Sequence, residues 1–142
     1  RQPGDGLQAR FSAYHAAAVG LLDGRVALRQ FSDERAVMPD VERLRTLITL
    51  VPTESCARDA ATIRIERAGA SPVSVHIPHA RGSLARPLTD AELFAKVDGL
   101  VEPVLGAGAA RALAEAVDEM ESALGLGALL MAIRPAEQEE NR

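Results

Sequence analysis

The chain has 142 residues, a length that suits one domain. Hydrophobic residues make up 47% of it but aromatic residues only 3%, so its core must be built mainly from Ala, Leu, Val and Ile. The net charge is -4, Trp is absent, and acidic and basic residues are interspersed. Because no basic stripe exists to neutralise phosphates, we expect no nucleic-acid partner.

Cysteine usage and hydropathy predict a cytoplasmic protein without a membrane partner. The most apolar tract, residues 124–133, contains two glycines and is too short to cross a bilayer, and no signal peptide is evident. The single cysteine, Cys56, cannot form an internal disulfide, and nothing near it supplies the electropositive setting of a catalytic thiol. Residues 1–10 resemble a linker, as if the sequence were taken from something longer.

The first predicted helix covers residues 11–22. Ser12 is a suitable N-cap, and Gly24 suits a left-handed C-terminal position. The helix is apolar nearly all round, so we expect it to be buried against a larger helical body. The sequence of residues 25–31 is compatible with either a short helix or an extended link.

The middle of the chain predicts a short helix and a small sheet. Pro39 opens a helix over residues 40–46. A β-rich run follows at 47–51, and alternating patterns follow at 61–67 and 73–77, with a hairpin turn at 68–71. We expect three antiparallel strands that form a sheet with one solvent-exposed face and with helices packed over the other face.

The last third predicts two helices. After a loop over residues 78–87, Thr89 and Glu92 have the spacing of a capping box, and Gly106 and Gly108 end the helix that follows. A final helix is predicted over residues 109–124, and the charged tail at 135–142 should be frayed. The fold class is therefore α+β, a small sheet of about three strands covered by helices.

Several sequence fragments carry a family resemblance. Residues 11–15, Phe-Ser-Ala-Tyr-His, followed by an alanine-rich turn and by Leu-Leu-Asp-Gly at 21–24, resemble a signature of the MmgE/PrpD family. Further fragments follow at the family's order and spacing: residues 31–33, 39–41, 82–83, 87–93 and Lys96. Each fragment alone is weak, but together they extend the resemblance over residues 8–124.

The resemblance implies a two-domain, homodimeric subunit. Residues 11–134 would be its smaller, lid-like C-terminal domain, and the C-terminal helices would pack on a missing N-terminal all-helical domain. Members act on small di- or tricarboxylates by dehydration, decarboxylation or epimerisation, without a metal or organic cofactor. A 2-methylcitrate dehydratase-like lyase is the favoured activity. The isolated chain should be inactive, because most proposed acid-base residues lie in the other domain.

His15 and Tyr14 are the candidate catalytic residues. His15 occupies a position where family members carry Tyr or His near the substrate, and histidine can donate or accept a proton near neutral pH. The alternative is a buried structural histidine. Tyr14 points about a hundred degrees away round the helix, so only one of the two should face the substrate. Packing alone is the favoured role for Tyr14.

Three further residues are candidate substrate-binding groups, each with a simpler alternative. Ser12 is most simply an N-cap. Arg10 precedes the cap and can face an anion at the helix start, or it can be an ordinary solvated arginine. Arg81 lies in a basic loop that either folds over bound carboxylates or is a plain turn, and we favour the turn. His76 and His79 have no spacing for a metal pair, so no metal is expected.

Two other functions remain open from the sequence alone. The chain can be a non-catalytic dimerisation or interaction module, because an exposed apolar helix that lacks the domain it normally packs against would bind a partner. It can also belong to an epimerase or decarboxylase of the same family, because the residues that select the substrate lie elsewhere.

Overall fold

The computed structural model describes residues 2–120, 122 and 126–135. Within them the chain forms helices, one 3-10 turn at Leu28–Phe31 and one hairpin. The helices are α1 (Gly6–Arg10), α2 (Ala13–Asp23), α3 (Asp33–Ala36), α4 (Pro39–Leu47), α5 (Asp90–Leu105), α6 (Ala109–Glu119) and α7 (Gly127–Ala132). The strands are β1 (Ala61–Arg67) and β2 (Ala70–Ile77). The predicted mixture of helix and antiparallel sheet is confirmed.

Both predicted caps of α2 are confirmed. Ser12 has an extended backbone, with φ -106° and ψ 106°, and its side-chain oxygen accepts a hydrogen bond from the His15 N–H at 3.1 Å. Because Ser12 is the cap, the helix begins at Ala13. Gly24 ends it with φ 68°, a left-handed conformation that a side chain would strain.

One side of α2 packs on α4 and forms the buried core. Ala18, Val19 and Val41 are fully buried there, and two partly buried residues, Leu44 and Ile48, pack against them. Other sides of α2 stay open: Leu21 is 49% exposed and Leu22 44%. The chain therefore covers only part of a helix that was expected to be buried all round.

The short helix α1 lies within the segment that resembled a linker. Asp5 caps it by accepting from the Gln8 N–H at 2.7 Å. Gly6 is buried, and its N–H donates to the Asp33 carboxylate at 2.8 Å. A Cβ at Gly6 would lie 2.1 Å from the Phe31 carbonyl oxygen, so only glycine permits this close approach. These contacts dock α1 against the 3-10 turn and α3.

Arg35 on α3 joins three helices by ion pairs. It contacts the Asp23 carboxylate at the end of α2 at 2.5 Å and the Asp40 carboxylate at the start of α4 at 2.8 Å. The hydrogen bond from Arg35, followed by one from Gln30, lowers the pKa of Asp23 below its ordinary value. The hydrogen bond from Arg35 likewise lowers the pKa of Asp40. Ionised carboxylates therefore tie the helices together.

Only two strands form among the described residues, so the predicted third strand is not confirmed. β1 pairs antiparallel with β2, in a register that places Ile63 opposite Val75 and Ile65 opposite Val73. Residues 48–51 of the β-rich run have no ladder partner, and its first residue, Leu47, is the last residue of α4. The expected helical cover is also not seen: Ile63, Val73 and Val75 are each about half exposed.

The first two C-terminal helices begin where they were predicted, whereas α7 was not predicted. The capping box is confirmed, since Thr89 accepts from the Glu92 N–H and the Glu92 carboxylate accepts from the Thr89 N–H. α5 then continues through Pro103 and ends at Gly106. α6 begins as predicted at Ala109 but ends at Glu119, five residues before the predicted end at residue 124, which lies with most of the tail outside the described residues. No helix in the described part of the chain has the length and hydropathy to cross a bilayer.

Candidate functional site

His15 lies in the interior of the helical layer, with none of its surface exposed. Its Nε2 is 2.7 Å from the Gln30 carbonyl oxygen, and its Nδ1 is 3.2 Å from Nη1 of Arg45. Its ring also packs against Phe31, with ring centroids 5.5 Å apart. Both ring nitrogens are thus occupied by protein groups, as the structural alternative for this residue requires.

The two partners of His15 define its hydrogen-bonding state. A carbonyl oxygen only accepts, so Nε2 carries the hydrogen that is donated to Gln30. A guanidinium only donates, so Nδ1 is the acceptor facing Arg45. With these partners the ring donates through Nε2 and accepts at Nδ1.

Arg45 is the second buried polar residue of the site and is 1% exposed. Its Nη1 donates to the Ala36 carbonyl at 2.8 Å as well as to His15. Its Nε and Nη2 are buried and find no hydrogen-bond acceptor among the described residues. The Glu42 carboxylate lies 3.7 Å from Nη2, close enough for charge attraction but beyond a hydrogen bond.

Tyr14 and Ser12 face the surface instead. Both are half-buried and line a depression of about 390 Å³ at the start of α2, together with Phe11 and Leu50. Phe11 is 86% exposed, so this rim of α2 is apolar and open. Of the adjacent pair, the structure therefore places Tyr14 half-buried beside this depression and His15 in the interior.

Arg10 is exposed and borders a different depression of about 450 Å³. Asp33 and Glu34 lie on its wall as well, so two carboxylates share the space with one guanidinium. The electrostatic setting of Arg10 is therefore less favourable for an anion than the sequence suggested.

Arg81 is paired with Glu92 on α5. Its Nε donates to Glu92 Oε1 at 3.0 Å, and its Nη2 contacts Oε2 of the same carboxylate. Glu92 is also half of the capping box, so the pair fastens the loop after β2 to the start of α5. This matches the plain-turn alternative for the loop.

The structure brings together two of the candidates and adds a residue that the sequence analysis missed. Ser12 and Tyr14 share a depression, and the side chains of His15, Arg10 and Arg81 each lie in other surroundings, although the His15 backbone N–H also donates to Ser12. The missed residue is Arg45. A signal existed, because Val41 and Arg45 are four residues apart and share the buried face of α4.

The remaining reactive side chains have ordinary roles. His76 lies 2.9 Å from the Thr62 hydroxyl across the hairpin, and His79 lies 3.0 Å from the Asp59 carboxylate. The hydrogen bond from His79 lowers the pKa of Asp59. The thiol of Cys56 donates to the Ala60 carbonyl. In the ranges that the structure describes, no cluster of His, Cys, Asp and Glu has the arrangement of a metal site.

The described part is thus an α+β domain with a buried histidine–arginine pair, an open apolar helix and an uncovered hairpin. The chain matches the model of the MmgE/PrpD C-terminal domain over residues 1–122 and belongs to that family. The family predicted from the fragments, and its C-terminal part, are confirmed. No curated protein matches the chain.

Proposed function

We propose that the chain is the small domain of a cofactor-independent lyase or isomerase that acts on small di- or tricarboxylates, with a 2-methylcitrate dehydratase-like reaction as the leading candidate. The family match carries this proposal. Exposed apolar side chains support the proposal. Leu21 and Leu22 on α2, and Phe11 just before it, form an apolar surface on which a second domain can pack.

The reaction makes three demands on a protein. A base removes a proton beside a carboxylate, an acid protonates the departing hydroxyl, and cationic or hydrogen-bonding groups hold the carboxylates. This chain offers few such groups at one place, which supports a site completed by residues of the helical domain.

Tyr14 and Ser12 are the groups of this chain that we propose to face the substrate. They line the depression at the start of α2, where the helix dipole favours an anion. The Tyr14 hydroxyl is an acid of suitable type for protonating an oxygen leaving group. His15 then supports this helix from behind through Gln30 and Arg45, and it contacts substrate only if those two hydrogen bonds are given up.

Comparing three substrates tests the reaction class. The polypeptide that carries this domain together with a helical domain is incubated with 2-methylcitrate, with a decarboxylation substrate and with an epimerisation substrate. New alkene absorbance, released carbon dioxide and inverted configuration report the three reactions separately. We expect alkene formation from 2-methylcitrate. Turnover of only one of the other two acids would support an enzyme that acts on carboxylates but would exclude the dehydratase reaction.

A second candidate, a dimerisation or interaction module, is favoured by the hairpin. Two strands alone are marginally stable, and the apolar face with Ile63, Val73 and Val75 lacks cover in the described residues. Size-exclusion chromatography with light scattering tests it. A dimer that dissociates when Val75 is changed to Thr would support this candidate, whereas an inert monomer would exclude it.

A further inference from the structure

A groove of about 530 Å³ lies between α5 and residues 25–29, the segment that follows α2. Most of its lining is apolar, with Val26 and Leu28 on one wall and Leu100 and Pro103 on the other. The side chains of Val26, Leu28 and Leu100 are each between 41% and 52% exposed, so the groove leaves apolar surface open to solvent. A space of this size suits a small organic molecule.

The wall from α5 follows from helical spacing. Four of its lining residues are at positions i, i+3, i+4 and i+7: Lys96, Gly99, Leu100 and Pro103. Residues at this spacing share one face of a helix. No described atom lies within 4 Å of a Cβ built at Gly99, so the missing side chain leaves the middle of the wall open. Lys96 lies about 10 Å along the helix axis from Pro103, at one end of the groove.

Hydrogen bonds hold the opposite wall in place. The Ala27 N–H donates to the side-chain oxygen of Gln30 at 3.2 Å, and the Gln30 side-chain nitrogen donates to the Asp23 carboxylate at 3.1 Å. Val26 packs close to α2, because a Cβ at Gly20 would lie 3.3 Å from its Cγ2. The wall is therefore formed before a ligand binds, which lowers the entropic cost of binding.

Cations flank the apolar surface. Lys96 on α5, and Arg25 and Arg29 on the other wall, are exposed and make no ion pair with a described residue. Glu102 is the only carboxylate among the described lining residues and comes next to Pro103. Three cations against one carboxylate favour an anion at this groove, in a chain whose net charge is -4.

The apolar surface and the cations together define the ligand. An aliphatic body would cover the half-exposed side chains, and the removal of apolar surface from water is favourable. An anionic head would pair with Lys96 at the end of the groove. An ammonium group binds the oxygens of a carboxylate or of a phosphate, so the head group can be either.

We propose that this groove binds an amphipathic anion, an aliphatic chain that ends in a carboxylate or a phosphate, with its head at Lys96 and its chain along Gly99 and Leu100. None of the described lining residues borders the depression that contains Tyr14 and Ser12. The ligand also differs in kind from a compact di- or tricarboxylate, because it needs an apolar body. The inference therefore goes beyond the proposed reaction and does not depend on it.

Amide NMR on the 142-residue chain tests this inference. Octanoate, octyl phosphate and octanol are titrated below their aggregation limits while the Gly99 and Leu100 resonances are followed. We expect saturable shifts with both anions, and about threefold or more weaker binding of octanol, which has the chain without the charge. Glutarate, which has two charges and no aliphatic tail, should give no saturable shift. The tighter of the two anions identifies the preferred head group.

Two variants on α5 locate the site. Gly99→Leu fills the middle of the groove at a position where leucine is the better helix former, so it should fold and weaken octanoate binding about tenfold or more. The Leu100 resonance reports binding to this variant. Lys96→Gln should weaken octanoate binding about threefold or more and leave octanol binding unchanged. Arg111→Gln, the matched control, removes an exposed charge from α6 and should leave both affinities unchanged.

Four results would overturn the inference. The first is the absence of a saturable shift with either anion, and the second is octanol binding as tight as octanoate binding. The third is unchanged octanoate affinity in folded Gly99→Leu, which would place the chain of the ligand outside the groove. The fourth is unchanged octanoate affinity in Lys96→Gln, which would remove the anionic head from the end of the groove.

Discussion

Nδ1 of His15 lies 3.2 Å from Nη1 of Arg45, and the two side chains are the largest polar groups that the helical layer buries completely. They come from α2 and α4, thirty residues apart. Each restricts the other: Arg45 leaves His15 only one donor nitrogen, and His15 engages Nη1 of Arg45, whose buried Nε and Nη2 find no acceptor among the described residues.

The first prediction concerns the removal of His15. His15→Ala leaves a cavity and takes an acceptor from a buried cation, so the free energy of unfolding should fall by about 2–4 kcal/mol. Urea unfolding followed by circular dichroism measures the change. The exposed His76→Ala is the matched control and should change stability by about 0.5 kcal/mol or less. Equal effects of the two variants would show that the buried pair contributes nothing.

The second prediction concerns pH and the Arg35 ion pairs. Because Arg35 lowers the pKa of Asp23 and Asp40, their contribution is full above the ordinary value of 3.8 and is lost as pH falls from there towards the lowered values. Arg35→Gln should therefore lower the melting temperature most near neutral pH and least in acid.

The control for this experiment is Arg64→Gln, whose partner Glu66 lies two residues away on the exposed hairpin. Such a surface pair contributes little, so its melting curve should follow the wild type at every pH. A constant difference between Arg35→Gln and wild type down to strong acid would contradict the assignment.

The third prediction concerns the start of α5. Thr89→Ala removes one half of the capping box and should cost about 1 kcal/mol in unfolding free energy. Thr46→Ala, near the end of α4, also removes a hydroxyl hydrogen bond but no cap, and should be close to neutral. Hydrogen exchange at the first turn of α5 should rise only in Thr89→Ala. A rise of equal size in Thr46→Ala would count against the local role of the cap.

The fourth prediction pairs two glycines of opposite character. Gly6→Ala places a Cβ against the Phe31 carbonyl and should destabilise the chain by about 1–3 kcal/mol as α1 is displaced. Gly99→Ala lies within α5 with nothing within 4 Å of the new Cβ, so it should stabilise by about 0.5–1 kcal/mol. A stable Gly6→Ala would show that α1 is not docked.

Local signals predicted the caps of α2 and the start of α5, whereas α1, α3 and α7 were not predicted. Ser12, Gly24 and the Thr89–Glu92 pair act within one turn of chain, so their sequence pattern contains the whole interaction. α1 escaped prediction because it has five residues and depends on Phe31 and Asp33, far along the chain. The third strand predicted at residues 47–51 does not form, because β propensity needs a neighbouring strand and residues 48–51 have none among the described residues.

The candidate site was predicted only in part. The fragment that contains Tyr14 and His15 indicated the family, but periodicity alone did not show which of the two is buried. That choice depends on Arg45 and Gln30, whose contacts with His15 arise only when the helices pack. The pairing of Arg81 with Glu92 was not predicted, because it depends on how the loop after β2 lies against α5.

Turnover of 2-methylcitrate by the isolated chain, compared with the same chain joined to the all-helical domain that we propose as its partner, tests the central proposal most directly. Alkene absorbance should stay at background for the chain alone and rise only for the joined protein, because this domain supplies few of the acid-base groups. Turnover by the isolated 142 residues, or a folded joined protein that leaves every tested carboxylate unchanged, would contradict the account.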